Sequence, residues 1–284
     1  MKKLHKKILV MTMAIGLTAC ADLDLNPLSE GSSENWYHDA TEIEMALNDL
    51  WRPDFFPIDG IDWDDDVLNR GASNEITIGT VTSQWKTSVS RWNVLYKAIA
   101  RANKIVNALD KGSASGLREA KVNQYKGEAY FMLGFAYGEL TAYYGDCILN
   151  NNMSLNEAYH AARSPKEKVL EYAYECFDKA IEYLPATITG QLRPTKGAAL
   201  GFKARFALFH QDWQTAADAA KQCMDLNVYE LHDNYLDLFK ADKSKELMFY
   251  FKGNLALKKG FGLFTDIRNT IIRKVSGTAG KSPS

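Results

Sequence analysis

The chain has 284 residues, of which 46% are hydrophobic and 24% charged, and its formal net charge is −1. This length and apolar content are sufficient for one large domain or two small ones with a substantial core. Because no surplus of basic residues is available to neutralise phosphates, we expect no nucleic-acid partner.

The start of the chain has the organisation of a bacterial lipoprotein export signal. Four lysines precede an apolar run from Ile8 to Leu17, and a basic start with a short apolar core is typical of a secretory signal peptide. The run has ten residues, whereas a membrane-spanning helix needs about twenty. It leads into Leu-Thr-Ala-Cys, and a lipoprotein signal peptidase requires such small residues before the cysteine. We therefore predict a signal peptide over 1–19, a lipid anchor (palmitate) on Cys20 and a location outside the cytoplasm. The alternative is an ordinary secretory peptide with a chance cysteine.

The segment after the signal predicts a tether that leads into a helical domain over 36–284. Residues 20–35 are polar and contain Pro27 and Gly31, which favour an extended linker. Residues 36–51 have helical spacing. Residues 52–90 are rich in Pro, Gly and acids, and they predict a long irregular loop with one short strand at 75–78.

Helices dominate the rest of the sequence. Apolar residues recur at helical spacing over 89–109 and 117–144. Ser164 and Pro165 predict the start of a third helix, with serine as its cap and proline in its first turn. Two closely linked helices are predicted over 194–209 and 213–226.

These helices carry a repeat pattern that predicts how they pair. In a tetratricopeptide repeat, large and small residues at fixed spacing mark two antiparallel helices. The pattern of the first helix is matched by Tyr130, Leu133, Gly134 and Tyr137, and that of the second by Ala173, Phe177, Ala180 and Pro185. An insertion loop around 145–163 separates these two halves, and the last pair of helices fits without interruption. The predicted fold class is therefore all-α, with a tetratricopeptide-like helical-repeat scaffold and long insertion loops. Generic packing of unrelated helices is the alternative.

The sequence lacks the usual catalytic and metal-binding motifs. It has no G-x-S-x-G, H-E-x-x-H or C-x-x-C segment, and its histidines are not spaced for a shared metal. An acidic run begins like a calcium loop but has Val67 and Ser73 where glycine and glutamate are needed. Cys147, Cys176 and Cys223 are expected to be buried free thiols, with a single disulfide as the alternative. We therefore predict no catalytic residue, no metal and no cofactor apart from the covalent lipid on Cys20.

Several longer segments form an ordered set of motifs. They are Cys20-x-Asp22-Leu23-Asp24-Leu25-x-Pro27, Trp92-x3-Tyr96-x2-Ile99-x-Arg101-Ala102-Asn103, Gly127-Glu128-Ala129-x-Phe131 leading to Tyr143-Tyr144-Gly145-Asp146, Arg193-x-Thr195-Lys196-Gly197-Ala198-Ala199, and Tyr229-x-Leu231 followed by Tyr235 and Leu238-Phe239. In order and spacing these motifs resemble those of the SusD/RagB family of outer-membrane glycan-binding lipoproteins. Members of that family are commonly longer, so the chain is expected to be truncated on its C-terminal side.

The resemblance implies a non-catalytic lipoprotein that is exposed on the outer membrane. Such a protein captures a polysaccharide or oligosaccharide and delivers it to a SusC-like TonB-dependent outer-membrane transporter. Two other functions stay open at this point. One is a lipid-anchored, tetratricopeptide-like scaffold that only binds proteins. The other is a hydrolase that uses carboxylates for catalysis.

The residues expected to contact a glycan come from the 52–90 loop. Sugars present C–H patches that stack on aromatic rings, and their hydroxyls need paired donors and acceptors. We predict Trp63 and Trp85 as stacking platforms and Asn74 and Asp65 as hydroxyl partners, with Arg70 nearby. The alternative for any one of them is a core tryptophan or an acid that contacts the transporter.

Overall fold

The computed structural model describes residues 36–52, 55–56, 79–113, 116–151, 153, 155–188, 193–234 and 245–249. In this part of the chain the regular structure is helical, apart from one isolated antiparallel bridge between Cys147 and Ser164. The helices are α1 (Ala40–Leu50), α2 (Lys86–Asp110), α3 (Glu119–Tyr144), α4 (Leu155–His160), α5 (Lys166–Tyr183), α6 (Lys196–Phe209) and α7 (Trp213–Asp225).

These helices confirm the predicted all-α fold and differ from the predicted bounds in two places. Helix α2 begins at Lys86, inside the predicted 52–90 loop, and α4 lies inside the predicted 145–163 insertion. The signal peptide over 1–19, Cys20, the tether and the short strand at 75–78 all lie outside the described residues.

Helix α3 is the centre of the fold. It contacts α1, α2, α5 and α6, and its buried residues lie on every side of the helix. A helix that is apolar all round is stable only where neighbours cover it completely. The strongly amphipathic α5 packs one apolar stripe on α3, with Val169, Ala173 and Phe177 buried.

Glycines in α3 let the neighbouring helices approach closely. A Cβ on Gly134 would lie 3.0 Å from the ring of Phe177 in α5, and one on Gly138 would lie 2.6 Å from the ring of Phe206 in α6. The pairing of Gly134 with Phe177 is the contact that the tetratricopeptide pattern predicts. The interrupted repeat is therefore α3 with α5, and the uninterrupted one is α6 with α7.

Aromatic rings fill the space between α3, α6 and the last described segment. Phe249 lies 5.5 Å from Phe131 and 6.0 Å from Trp51 between ring centroids. Phe202 lies 5.3 Å from Phe135 in an edge-to-face arrangement. Such geometry contributes to stability beyond the area buried, so residues 245–249 complete the core that α1, α3 and α6 begin.

A buried ion-pair network joins α1, α3 and the segment before α6. Arg193 donates from Nη1 to Glu128 Oε2 at 2.7 Å and from Nη2 to Glu44 Oε1 at 3.1 Å, and it also bonds Asn48. Trp51 donates its indole N–H to the same Glu128 oxygen at 3.0 Å. Glu128 and Arg193 belong to two of the family-like motifs, and the structure assigns both to the scaffold.

The prediction that Ser164 caps the third long helix is wrong. Ser164 instead pairs its main chain with Cys147, through N–O distances of 2.9 and 3.3 Å. Pro165 occupies the cap position, and its ring has no group that can accept a hydrogen bond from the helix. Asp146 Oδ1 accepts from the backbone N–H of Lys166 at 2.9 Å. The aspartate of the Tyr-Tyr-Gly-Asp motif therefore caps α5 across the insertion.

Asp146→Ala is expected to lower the free energy of unfolding by about 0.5–2 kcal/mol, the usual effect of removing a helix cap. The value should lie near the lower end, because Asp146 is exposed. Urea denaturation of the full chain measures it. Asp146→Asn keeps an acceptor oxygen and should retain most of the stability, and an equal loss in both variants would contradict the capping role.

Candidate functional site

The start of α2 and the end of α3 lie side by side because the two helices are antiparallel. Tyr144 donates its hydroxyl to the carbonyl of Ser88 at 2.6 Å. At the opposite end of the pair, Lys126 forms an ion pair with Asp110. The first end is called the aromatic end below, and its residues are Trp85, Ser88, Arg91, Trp92, Tyr96, Tyr143 and Tyr144.

Ring contacts fix the geometry of the aromatic end. The Trp92 ring lies 4.8 Å from that of Tyr96 and 5.0 Å from that of Tyr144, the latter edge to face. The Tyr96 hydroxyl donates to the carbonyl of Ile148 at 2.8 Å. Burial raises the pKa of Tyr96, so its phenol stays a neutral donor and holds the insertion against α2.

Two arginines stack on this aromatic group. Arg91 is buried, with Cζ 4.0 Å from the centre of the Tyr143 ring and Nη1 3.0 Å from Glu139 Oε2. Arg163 is exposed and lies with Cζ 5.5 Å from the Trp92 ring. Cation–π contacts of this kind fix the ring orientations. Tyr143 is 41% exposed, so its ring faces solvent in a fixed orientation.

Trp85 lies at the entrance to α2. Its backbone N–H donates to the carbonyl of Thr82 at 3.0 Å, and its backbone carbonyl accepts from the N–H of Val89 at 3.1 Å. The residue is half-buried, between the exposed Val81 and Val89. Within the described part of the chain its ring has no stacking partner, in contrast to the ring of Trp92. A half-buried, unstacked indole has the properties that a sugar platform needs.

The other predicted contact residues cannot be placed beside Trp85. Trp63, Asp65, Arg70 and Asn74 lie outside the described residues, so their roles stay predictions. The sequence did not single out Arg91, and it gave Tyr143 only as part of a motif, because only the packing of α2 on α3 brings the two together. The Trp92-x3-Tyr96 spacing was a usable signal, since residues four apart share one face of a helix.

Cys147 lies beside this end, next to Tyr96. Burial raises the pKa of the Cys147 thiol to about 11, so the thiol is protonated at neutral pH and a poor nucleophile. Cys147, Cys176 and Cys223 are free thiols; the first two are buried, as expected, whereas Cys223 is half-buried. Among the described residues, no three His, Cys, Asp or Glu side chains converge on a metal position. Within the same ranges no helix is long and apolar enough to span a bilayer.

The fold and this surface define a helical-repeat protein with an aromatic surface at one end of its central helix pair. The chain belongs to the SusD-like family described as starch-binding and associating with the outer membrane, whose model matches residues 58–208. This match covers more than half of the chain and confirms the resemblance found in the sequence motifs.

Curated relatives align with most of the chain. The SusD-like protein P2 of Formosa agariphila is 24% identical over 266 residues, which are 85% of this chain and 51% of that protein. A SusD-like protein of Bacteroides ovatus is 23% identical over 257 residues, 83% of this chain and 47% of that protein. The chain therefore spans about half the length of the curated relatives it matches.

Solved structures show the same fold. A SusD-like carbohydrate-binding protein from Bacteroides fragilis superposes with a TM-score of 0.65 at 21% identity, over 77% of this chain and 47% of that one. A SusD superfamily protein from Bacteroides thetaiotaomicron gives a TM-score of 0.64 at 20% identity, over 78% and 54% of the two chains. At these identities the likeness establishes architecture alone.

Proposed function

We propose that this protein is a non-catalytic, cell-surface lipoprotein that binds a polysaccharide or oligosaccharide. The observation that carries the proposal is the family match over residues 58–208, a family described as starch-binding. The carbohydrate-binding protein of Bacteroides fragilis with the same fold supports it. The aromatic end adds a physical basis, since it holds tryptophan and tyrosine rings at a helix entrance.

The aromatic end binds sugar through stacking and hydrogen bonding. The Trp85 and Tyr143 rings take the C–H faces of successive sugar units, while Arg163 donates to hydroxyl oxygens at the edge. Arg91 holds Tyr143 in place, so little side-chain entropy is lost when the sugar binds. Trp63, Asp65, Arg70 and Asn74 complete the surface from the 52–90 segment.

The lipid on Cys20 places this surface at the outer membrane. From there the protein delivers the bound glycan to a SusC-like TonB-dependent transporter. Support comes from the family description, which includes association with the outer membrane. Cross-linking in native membranes followed by purification of the tagged chain tests both points. Capture of a β-barrel transporter with the chain is expected, and a Cys20→Ala variant should be recovered from the soluble fraction.

Trp85→Ala is expected to weaken retention on a polysaccharide affinity gel about tenfold, which corresponds to about 1.4 kcal/mol of binding free energy. The loss follows from removing the unstacked platform at the entrance to α2. The test uses the full chain and gels that contain starch, xylan or pectin in turn. Trp213→Ala is the matched control, because Trp213 is 63% exposed and lies at the start of α7. Retention on none of a broad set of glycans would contradict the proposed function.

A protein-interaction scaffold is the second candidate, and the paired helices of the two repeats favour it. The surfaces of stacked repeats commonly bind peptides. Purification that yields periplasmic assembly factors and no transporter, together with absent glycan binding, would support this function instead.

A further inference from the structure

A separate cavity of about 480 Å³ opens where the last turn of α3, the first turn of α5 and the end of α6 meet. We call this cavity the His210 pocket. The lining residues used in the proposal are Thr141, Lys166, Phe209, His210 and Gln211. Its volume lies within the range of small-molecule sites. The pocket shares no residue with the aromatic end, so its occupancy can be tested independently.

The polar groups of the pocket have a defined hydrogen-bonding arrangement. The Thr141 hydroxyl donates to the carbonyl of Gly138 at 2.9 Å and lies 3.2 Å from His210 Nε2. Since the single hydroxyl hydrogen is used on Gly138, His210 donates from Nε2 to Thr141. Burial and the neighbouring Lys166 lower the pKa of His210, and the more weakly acting Glu167 raises it. At neutral pH the ring is therefore neutral, with Nδ1 as an acceptor for an outside hydroxyl.

An exposed aromatic ring and an unpaired cation accompany this acceptor. Phe209 is 63% exposed, and its ring lies 5.3 Å from that of His210. Among the described residues the Lys166 ammonium has no ion-pair partner, although those of Lys126, Lys203 and Lys221 do. Glu167 follows Lys166 directly in the chain, and Asp146 accepts from the backbone N–H of Lys166.

The backbone at Gln211 is the second observation that points to a ligand. Gln211 has a φ of 63° and follows the C-cap His210 of α6. Glycine is the usual residue at this position because the left-handed region crowds a Cβ. A glutamine here carries a conformational cost that glycine avoids, and the residue lines the pocket. Strain of this kind persists only where the surrounding structure holds it, and it is frequent at binding sites.

We propose that the His210 pocket binds a sugar unit that carries a carboxylate, as in a uronic acid. Lys166 pairs with the carboxylate, Phe209 stacks on the C–H face, and His210 Nδ1 and the Gln211 amide bind hydroxyls. The proposal rests on the glycan-binding function proposed above and deepens it, since it names an acidic sugar and a second site.

The test is saturation-transfer NMR with the full chain in a detergent that contains no sugar, with sodium glucuronate and glucose as the probes. Glucuronate should bind the wild type at least about tenfold more tightly than glucose, as a single charge-assisted contact predicts. Lys166→Met should reduce glucuronate binding to the level of glucose. Lys168→Met is the matched control in the same turn of α5 and should leave both affinities unchanged.

Two further variants separate ligand contact from structure. Phe209→Ala should weaken both sugars, whereas the equally exposed Trp213→Ala should weaken neither. Gln211→Gly should weaken both sugars and at the same time raise Tm, since it removes the backbone strain. A raised Tm with unchanged binding would overturn the role of Gln211, and equal glucuronate binding by wild type and Lys166→Met would overturn the pocket.

The outcomes also distinguish this proposal from the proposed function. If polysaccharide retention depends on Trp85 while glucuronate binding is absent or independent of Lys166, the pocket is refuted and glycan binding stands. If neither polysaccharides nor glucuronate bind, both proposals fail.

Discussion

Arg193→Met is expected to lower the free energy of unfolding by about 3–5 kcal/mol, the usual cost of breaking a buried ion pair by removing one partner. The Arg193 and Glu128 side chains are 4% and 1% exposed. The substitution leaves the Glu128 carboxylate buried without its cation and removes the side chain that links Glu44 to Glu128. Urea denaturation of the full chain at pH 7 measures the change.

The pH dependence of this variant gives a second readout. Burial raises the pKa of Glu128, while Arg193 lowers it, so removing Arg193 raises the pKa of Glu128 further. The folded variant then holds a proton that the unfolded chain releases, and stability falls as pH rises through the folded pKa. We expect the difference in stability between variant and wild type to be smaller at pH 5 than at pH 7.

Two controls make this prediction specific. Glu128→Gln with Arg193→Met removes both charges and keeps one acceptor oxygen for the Trp51 indole, while the Gln124 amide can turn its own oxygen toward the new NH2 group. It should therefore cost less than Arg193→Met alone. Arg52→Met removes an exposed pair with Asp49 and should cost less than about 0.5 kcal/mol. A double variant that is less stable than Arg193→Met alone would contradict the view that the cost comes from an unpaired buried carboxylate.

Gly138→Ala is expected to destabilise the protein by about 1–3 kcal/mol. At a solvent-exposed position inside a helix, replacing glycine with alanine would raise the stability of the protein by up to about 1 kcal/mol. The difference arises because the new Cβ would lie 2.6 Å from the ring of Phe206, which is buried and stacks on Phe177 and Phe202. Thermal and urea denaturation measure the effect.

Gly201→Ala provides the matched control. Its Cβ would lie 2.5 Å from the terminal methyl of Met248, and an unbranched methionine can move its end out of the way. We therefore expect this variant to be as stable as the wild type or slightly more stable. Phe206→Leu should also reduce the cost of Gly138→Ala, and additive effects would contradict a direct clash.

Local patterns predicted the scaffold well because helices are built from nearby residues. Apolar spacing located α2 and α3 to within three residues at each end. The small residue at Gly134 and the ring at Phe177 identified two helices that pack together. The cap of α5 was missed because Asp146 lies 20 residues before the N–H that it accepts from, and no short pattern contains both.

The candidate sites depended on contacts that sequence spacing does not encode. Trp85 was singled out from its residue type alone, and its role as a platform stays a prediction, although its ring has no stacking partner among the described residues. In the His210 pocket, Thr141 contacts His210, which lies 69 positions further along the chain. Nothing in the sequence distinguishes Phe209 from any other residue at the end of a helix. Arg91 would also be expected on a surface, yet it is buried against Glu139 and Tyr143.

The bridge between Cys147 and Ser164 closes a loop whose middle part, around α4, is replaceable. The chain leaves and re-enters the helical stack at one main-chain pair, the hydroxyls of Tyr96 and Tyr137 bond Ile148 and Asn150 at the start of the loop, and Arg163 stacks on Trp92 at its end. The remainder includes α4, whose Tyr159 is 86% exposed. Doubling the length of such a loop costs only about 0.6 kcal/mol of closure entropy. An epitope tag or a fluorophore-binding peptide inserted after Glu157 would therefore show whether the protein is exposed at the cell surface while the helix pairs stay intact.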